Sequence, residues 1–164
     1  MKTPKTILAI DPGLRDLGHA VLRGRRILDS GVATFRFVPR RRRHLEALSA
    51  VRTWIGRYDP DALVIEATTG DSQPPFPALR RLERSLKGLA SRHHLACALY
   101  PAQTARKTLL GNGWAGKRDV AVALAARYPT LRIYVRQNRQ WKERYFQNMF
   151  DAVALALHHQ AHSA

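Results

Sequence analysis

Short apolar runs separated by polar turns fill the first part of the chain, and helical spacing takes over after it. Ile7–Ile10 is an apolar run stopped by Asp11-Pro12-Gly13, which predicts a buried strand meeting a turn. His19–Leu22 and Ile27–Phe37 predict two more strands, joined by the hairpin turn Arg23-Gly24-Arg25-Arg26. Leu45, Leu48, Val51 and Ile55 recur at helical spacing, so His44–Tyr58 is expected to be an amphipathic helix. Ala62–Glu66 predicts a fourth strand, and residues 70–77, with three prolines, a loop. Leu79, Leu82, Leu86 and Leu89 mark a second helix, and Leu95–Tyr100 a fifth strand. Gly111-Asn112-Gly113 is a loop before a third helix over Lys117–Tyr128, and Met149–His159 is the last helix. The order βββ-α-β-α-β-α-α implies an α/β fold. Its five-stranded mixed sheet has three antiparallel strands, then parallel ones, flanked by helices, which is the order of RNase H-like domains.

Composition changes this picture mainly through charge. A chain of 164 residues with 45% hydrophobic and 24% charged residues reads as one globular domain, residues 1–164. Lys and Arg number 28 against 12 Asp and Glu, a formal net charge of +16. Such a field suits a polyanion, nucleic acid before a membrane surface. A single cysteine, Cys97, excludes an internal disulfide, and its apolar surroundings (Leu95–Leu99) predict a buried thiol. The first apolar run is too short for a signal peptide and no run is long enough to span a membrane, so the expected location is cytoplasmic, on nucleoid DNA.

With so few acids, their positions carry information. Asp11 closes the first strand and shares a face with Ile7 and Ala9. Glu66 ends the fourth strand behind Leu63, Val64 and Ile65, where an acid is costly unless paired or ligating. Asp151 stands in the run from Met149 to Leu157, otherwise apolar. Each has a plainer reading, Asp11 as a turn residue and Asp151 as a helix N-cap. Together they form a cluster of hard oxygen ligands suited to Mg²⁺, with Mn²⁺ as a substitute, rather than zinc. A pair of such ions ~3.5–4 Å apart can clamp the attacking and leaving oxygens of a phosphodiester.

Basic residues gather near the glycine loop. Lys117 and Arg118 start a helix, where cations oppose the helix dipole and a phosphate would explain them. Arg106 and Lys107 precede the loop, whose Asn112 and Gly113 allow close backbone approach to a strand. Arg41 and Arg42, within Arg40–Arg43, are either a phosphate-contacting loop or a solvated turn.

These motifs resemble the RuvC family of Holliday-junction resolvases over nearly the whole chain. The similarity is carried by ILAIDPGLRDLG (residues 7–18), by Leu63-Val64-Ile65-Glu66, by YPAQTARKTLLGNGWAGKRDV (residues 100–120), and by the helix from Asp151. The resemblance implies a structure-selective endodeoxyribonuclease acting as a homodimer. It would place paired symmetric nicks in a four-way DNA junction, with Asp11, Glu66 and Asp151 as metal ligands and Lys117 as the catalytic cation. Arg106 takes a DNA-contacting place; a helicase partner is not implied by any residue. Three positions depart from the family. Asn148 stands where a fourth Asp or His ligand is expected, one turn before Asp151. Thr69 stands where an aromatic wedge is expected, with Phe76 in the Pro-rich loop as the candidate replacement. The stretch Leu131–Gln147 is longer than usual, and its basic and aromatic residues suit either nucleic-acid contact or an added strand and helix.

Other readings stay open from the residues alone. Asp11–Gly18 also fits the phosphate loop of actin-like ATPases, although those need about twice this length. An RNase H- or transposase-type nuclease on other nucleic acids is a further alternative, as is a non-catalytic nucleic-acid-binding protein.

Overall fold

The computed structural model describes residues 4–68, 76–135 and 140–163, with side chains throughout except at 140–144. Five strands form one sheet in the order β3-β2-β1-β4-β5. They are β1 (Thr6–Asp11), β2 (Asp16–Arg23), β3 (Arg26–Thr34), β4 (Ala62–Glu66) and β5 (Ala96–Tyr100). The first three are antiparallel neighbours, and β4 and β5 run parallel to β1, as the alternation of runs and turns predicts. The β2–β3 turn pairs Arg23 with Arg26 and places Gly24 at a φ of 55°, a conformation that suits glycine in a two-residue hairpin.

The sheet is covered on both faces, so alternate residues of its central strands enter two separate cores. Leu8 and Ile10 of β1 and Leu63 and Ile65 of β4 pack under α1 (Arg43–Tyr58) and α2 (Pro77–Arg92). Ile7, Ala9 and Val64 point the other way, into a core shared with three helices, α3 (Ala102–Leu110), α4 (Lys117–Arg127) and α6 (Gln140–His162). A short helix, α5 (Arg132–Val135), joins α4 to α6.

Several local expectations are corrected. β3 stops at Thr34 rather than Phe37, because the chain turns there: the Val38 N–H donates to the Phe35 carbonyl at 3.0 Å, and Phe37 is left 98% exposed. In α1 the buried stripe is Ala47, Val51 and Ile55, and Leu45 faces solvent. Helix α3, missing from the expected order, is bounded by Pro101 before it and by Gly111 in the left-handed conformation after it. Helix α6 starts at Gln140 rather than Met149, so Asp151 lies in mid-helix and its N-cap reading is excluded. Trp141, Tyr145 and Met149 stand four residues apart, a helical spacing that begins within the stretch left open between nucleic-acid contact and an added strand and helix. Part of the long link is thus helix, and residues 136–139 of it lie outside the described residues. Cys97 is exposed rather than buried, since β5 is an edge strand that pairs, among the described residues, with β4 alone. Among the described residues no helix is long and apolar enough to cross a membrane.

Candidate active site

Strand alternation and register bring the acids together. Ile10 of β1 pairs with Ile65 of β4, so Asp11 and Glu66 follow side by side at the carboxyl ends of adjacent parallel strands. Both project to the α6 face, the face of Ile7, Ala9 and Val64. Helix α6 crosses the sheet over β2 and β1 and presents Asp151 to the same point. One carboxylate oxygen from each of the three acids lies within 4.8 Å of the others.

A glycine sets the depth of that crossing. A Cβ on Gly18 would stand 2.0 Å from the backbone oxygen of Asn148 and 2.2 Å from its carbonyl carbon. Only glycine permits α6 to rest there, and Gly18 is paired with Asp11. The far end of α6 is fastened separately. His159 Nδ1 is 3.0 Å from Tyr100 Oη, His158 Nδ1 is 2.6 Å from Thr108 Oγ1, and Gln160 Nε2 donates to the Gly24 carbonyl at 2.7 Å.

Burial and mutual repulsion act against the charges of this cluster. Burial pushes the Asp11 carboxyl well above the usual range, and Glu66 and Asp151 push it further, against Lys117 and Arg106. Glu66 is pushed up to about 7 by burial and then by Asp151. Asp151 is raised by burial, while Arg106, Lys117 and a hydrogen bond from Gln147 hold it down. Two polar atoms here are buried without a hydrogen-bond partner, Glu66 Oε2 and Arg106 Nε. Arg106 Nη2 stands 3.9 Å from Asp151 Oδ1, an attraction too long for a hydrogen bond. Three hard oxygens, one of them orphaned, fit a divalent cation such as Mg²⁺ or Mn²⁺. An unsatisfied guanidinium beside them fits a phosphate.

The remaining candidates spread around this point. Lys117 begins α4 and reaches the acids electrostatically, and Arg118 follows it, exposed. The α4 start is capped by Asp119, whose Oδ2 accepts the Gly116 N–H at 3.0 Å. Lys107 and Asn112 are exposed on α3 and the loop after it, and Gly113 packs against Gln103 of α3. Phe76 caps α2 and is 67% exposed; it lines a cleft with Gly13, Leu14, Arg40 and Asn148. The cleft continues past Arg41, His44 and Arg81 on the opposite side of the sheet from α6. Arg42 is engaged with Glu46 at 3.1 Å instead. Thr69 lies outside the described residues.

Asn148 has a structural partner that its sequence position did not reveal. Its Nδ2 donates to the Asp16 carbonyl at 2.8 Å, bracing α6 against the turn after β1. An aspartate there would face that carbonyl with an acceptor. Asn148→Asp is therefore expected to cost about 1–3 kcal/mol in chelator, read as a lower melting temperature; an unchanged value would show that the brace carries no weight.

The family model for the crossover junction endodeoxyribonuclease RuvC matches residues 7–159. Among curated proteins, none matches the chain. A structure of Thermus thermophilus RuvC is similar at a TM-score of 0.73 and 21% identity, over 96% of this chain and 95% of that one. T. thermophilus RuvC in complex with a Holliday junction substrate gives 0.72 and 21%, over 97% and 94%. The yeast mitochondrial Holliday junction resolvase Ydc2 gives 0.65 and 14%, over 98% and 81%. The shared architecture is the RNase H-like sheet predicted from the chain.

Proposed function

The chain belongs to the RuvC family of crossover junction endodeoxyribonucleases, and from that premise we propose that it resolves four-way DNA junctions by divalent-metal-dependent hydrolysis of the phosphodiester. The observation that carries this reading is the clustered triad Asp11, Glu66 and Asp151, partly to fully buried, with Arg106 and Lys117 beside it. Carboxylates alone would repel a phosphate, and cations alone would bind one without cutting it. The two sets side by side accommodate both a metal and a scissile phosphate.

Asp11, Glu66 and Asp151 would hold the cation, Mg²⁺ by preference with Mn²⁺ as a substitute, and there is room in the reading for a pair of ions. Such a cation supplies Lewis-acid activation of water and of the phosphoryl oxygen. The protein's own part is positional. β1 and β4 hold two ligands rigidly, α6 brings the third, and the Arg106 guanidinium and Lys117 ammonium offset the charge gathered at phosphorus. Asn148 leaves the site one charge short of a four-acid set, while its amide stays tied to Asp16.

Symmetric cutting of two opposed strands needs two such sites, so the working form is proposed to be a homodimer. The net charge of +16 would supply sequence-independent, salt-sensitive affinity for the junction arms. The test incubates the protein with a synthetic four-way junction, a duplex and an RNA–DNA hybrid, with and without Mg²⁺. Paired nicks confined to the junction are expected, lost in chelator and in Asp11→Asn. Cleavage of the hybrid instead, or cleavage untouched by Asp11→Asn, would overturn the reading.

A further inference from the structure

Trp114 is 85% exposed in the loop between α3 and α4. A bare indole is unusual, because tryptophan brings the largest apolar surface of any side chain and normally hides most of it. This one is not a loose loop tip. The Trp114 N–H donates to Asn112 Oδ1 at 3.0 Å, and the Ala115 N–H to the Asn112 carbonyl at 3.3 Å. Gly111 takes a φ of 72°, and Gly113 lies so close to α3 that a Cβ would stand 3.0 Å from the Gln103 carbonyl oxygen. The backbone is thus held in a shape that directs the ring outward.

Its neighbours in the chain say what kind of ligand suits the ring. Trp114 precedes Lys117 by three residues, at most about 11 Å of chain, and Lys117 acts on all three acids. Exposed Lys107 stands on the helix before the loop. An exposed indole on the loop that joins the helix of Lys107 to Lys117, next to the proposed cleavage site, complements a nucleotide, flat base against indole and phosphate against ammonium. No acidic partner surface would gain from the ring, and a membrane would need more than one bare aromatic here.

We propose that Trp114 is a base-stacking residue that grips an unpaired or unstacked nucleobase a few steps from the scissile phosphate. This rests on the nuclease reading above. Stacking requires a base with an open face, which junction centres and single strands offer and an intact duplex does not. Trp114 therefore favours distorted DNA over duplex, a preference that the charge of the surface cannot supply. Thr69, where the family resemblance expects an aromatic wedge, has no ring to offer.

The test compares wild type with Trp114→Ala and Trp114→Phe. Oligo-dT and a four-way junction are titrated in chelator, and junction cleavage is timed with Mg²⁺. Trp114→Ala is expected to weaken binding of both ligands by roughly 5- to 100-fold and duplex binding by less than twofold. Trp114→Phe restores most of the loss, and wild-type tryptophan fluorescence is quenched on oligo-dT by a component absent from both variants. Melting temperatures stay together, since the ring is exposed. Equal binding by wild type and Trp114→Ala, or no rescue by phenylalanine, would overturn the assignment; a ring that serves a protein partner gives the same equal binding. If wild type fails to cut the junction, the nuclease reading falls, while the oligo-dT titration still decides the stacking role.

Discussion

Glu66→Gln is expected to abolish metal-dependent cleavage and, in the same molecule, to raise the melting temperature of the metal-free protein. The two effects share one cause. Glu66 ends a buried strand, its Oε2 has no hydrogen-bond partner, and Asp151 repels its charge. Its carboxyl rises from 4.5 to about 7. A folded-state value above the unfolded one means that folding favours the protonated form. The stability contributed is then fully present below about pH 4.5 and is lost as the pH rises through about 7. At 1.36 kcal/mol per unit, the loss approaches about 3 kcal/mol. Glutamine is neutral at every pH and escapes it.

Thermal unfolding in chelator checks this. The variant is expected to melt about 6–12 °C above wild type at pH 8, using about 2–4 °C per kcal/mol for a domain of this size. The gap closes towards pH 5. Mg²⁺ should raise the wild-type value, because a cation that binds only the folded state stabilises it. Cleavage should fall by about 10³ or more, the loss of several kcal/mol of charge stabilisation. A variant that melts below wild type at pH 8 would show that the cluster is not a site of stored repulsion. This is the familiar opposition of stability and activity at a site built for a ligand.

Gly18→Ala is expected to produce the largest loss of stability of any single methyl added to this chain's sheet. The new Cβ would lie 2.0 Å from the Asn148 backbone oxygen. That atom belongs to a helix backbone, so no side-chain rotation relieves the clash and α6 must lift by about an ångström. Forced overpacking of this kind costs about 3 kcal/mol or more, or about 10 °C in melting temperature. Asp151 rides on the same helix one turn further on. A misplacement of about 1 Å at a catalytic group costs about 10² in rate, so cleavage should fall even at temperatures where the variant remains folded. The control is Gly56→Ala on the exposed side of α1, where a Cβ meets nothing within 4 Å. Helix propensity there favours alanine by roughly 0.5–1 kcal/mol, and the melting temperature should rise slightly. Equal behaviour of the two variants would refute the role given to Gly18.

Some of this was written in local pattern. The two-residue alternation of β1 already aimed Asp11 with Ile7 and Ala9, and the same alternation placed Glu66 with Val64. The order of strands followed from a hairpin and then alternating strands and helices. Glu66 and Asp151 stood out because a charge at the end of or inside an apolar run has few innocent explanations, Lys117 because a cation opposes the dipole at a helix start, and Arg106 by its place beside the glycine loop. Local pattern failed where the deciding partner was remote. The apolar neighbours of Cys97 could not say that β5 would be the outer strand. The mixed basic and aromatic residues ahead of Met149 left the first turns of α6 open between nucleic-acid contact and an added strand and helix.

Periodicity and residue chemistry, which act between neighbours in the chain, therefore determined the five strands and most of the helices, and singled out the three acids. Tertiary structure alone decided how close those acids come. The seat of α6 on Gly18, the bond from Asn148 to Asp16 across 132 residues, and the burial that lifts Asp11 and Glu66 arise between segments far apart in sequence. Contact distance and desolvation depend on how whole elements pack, and no local spacing encodes them.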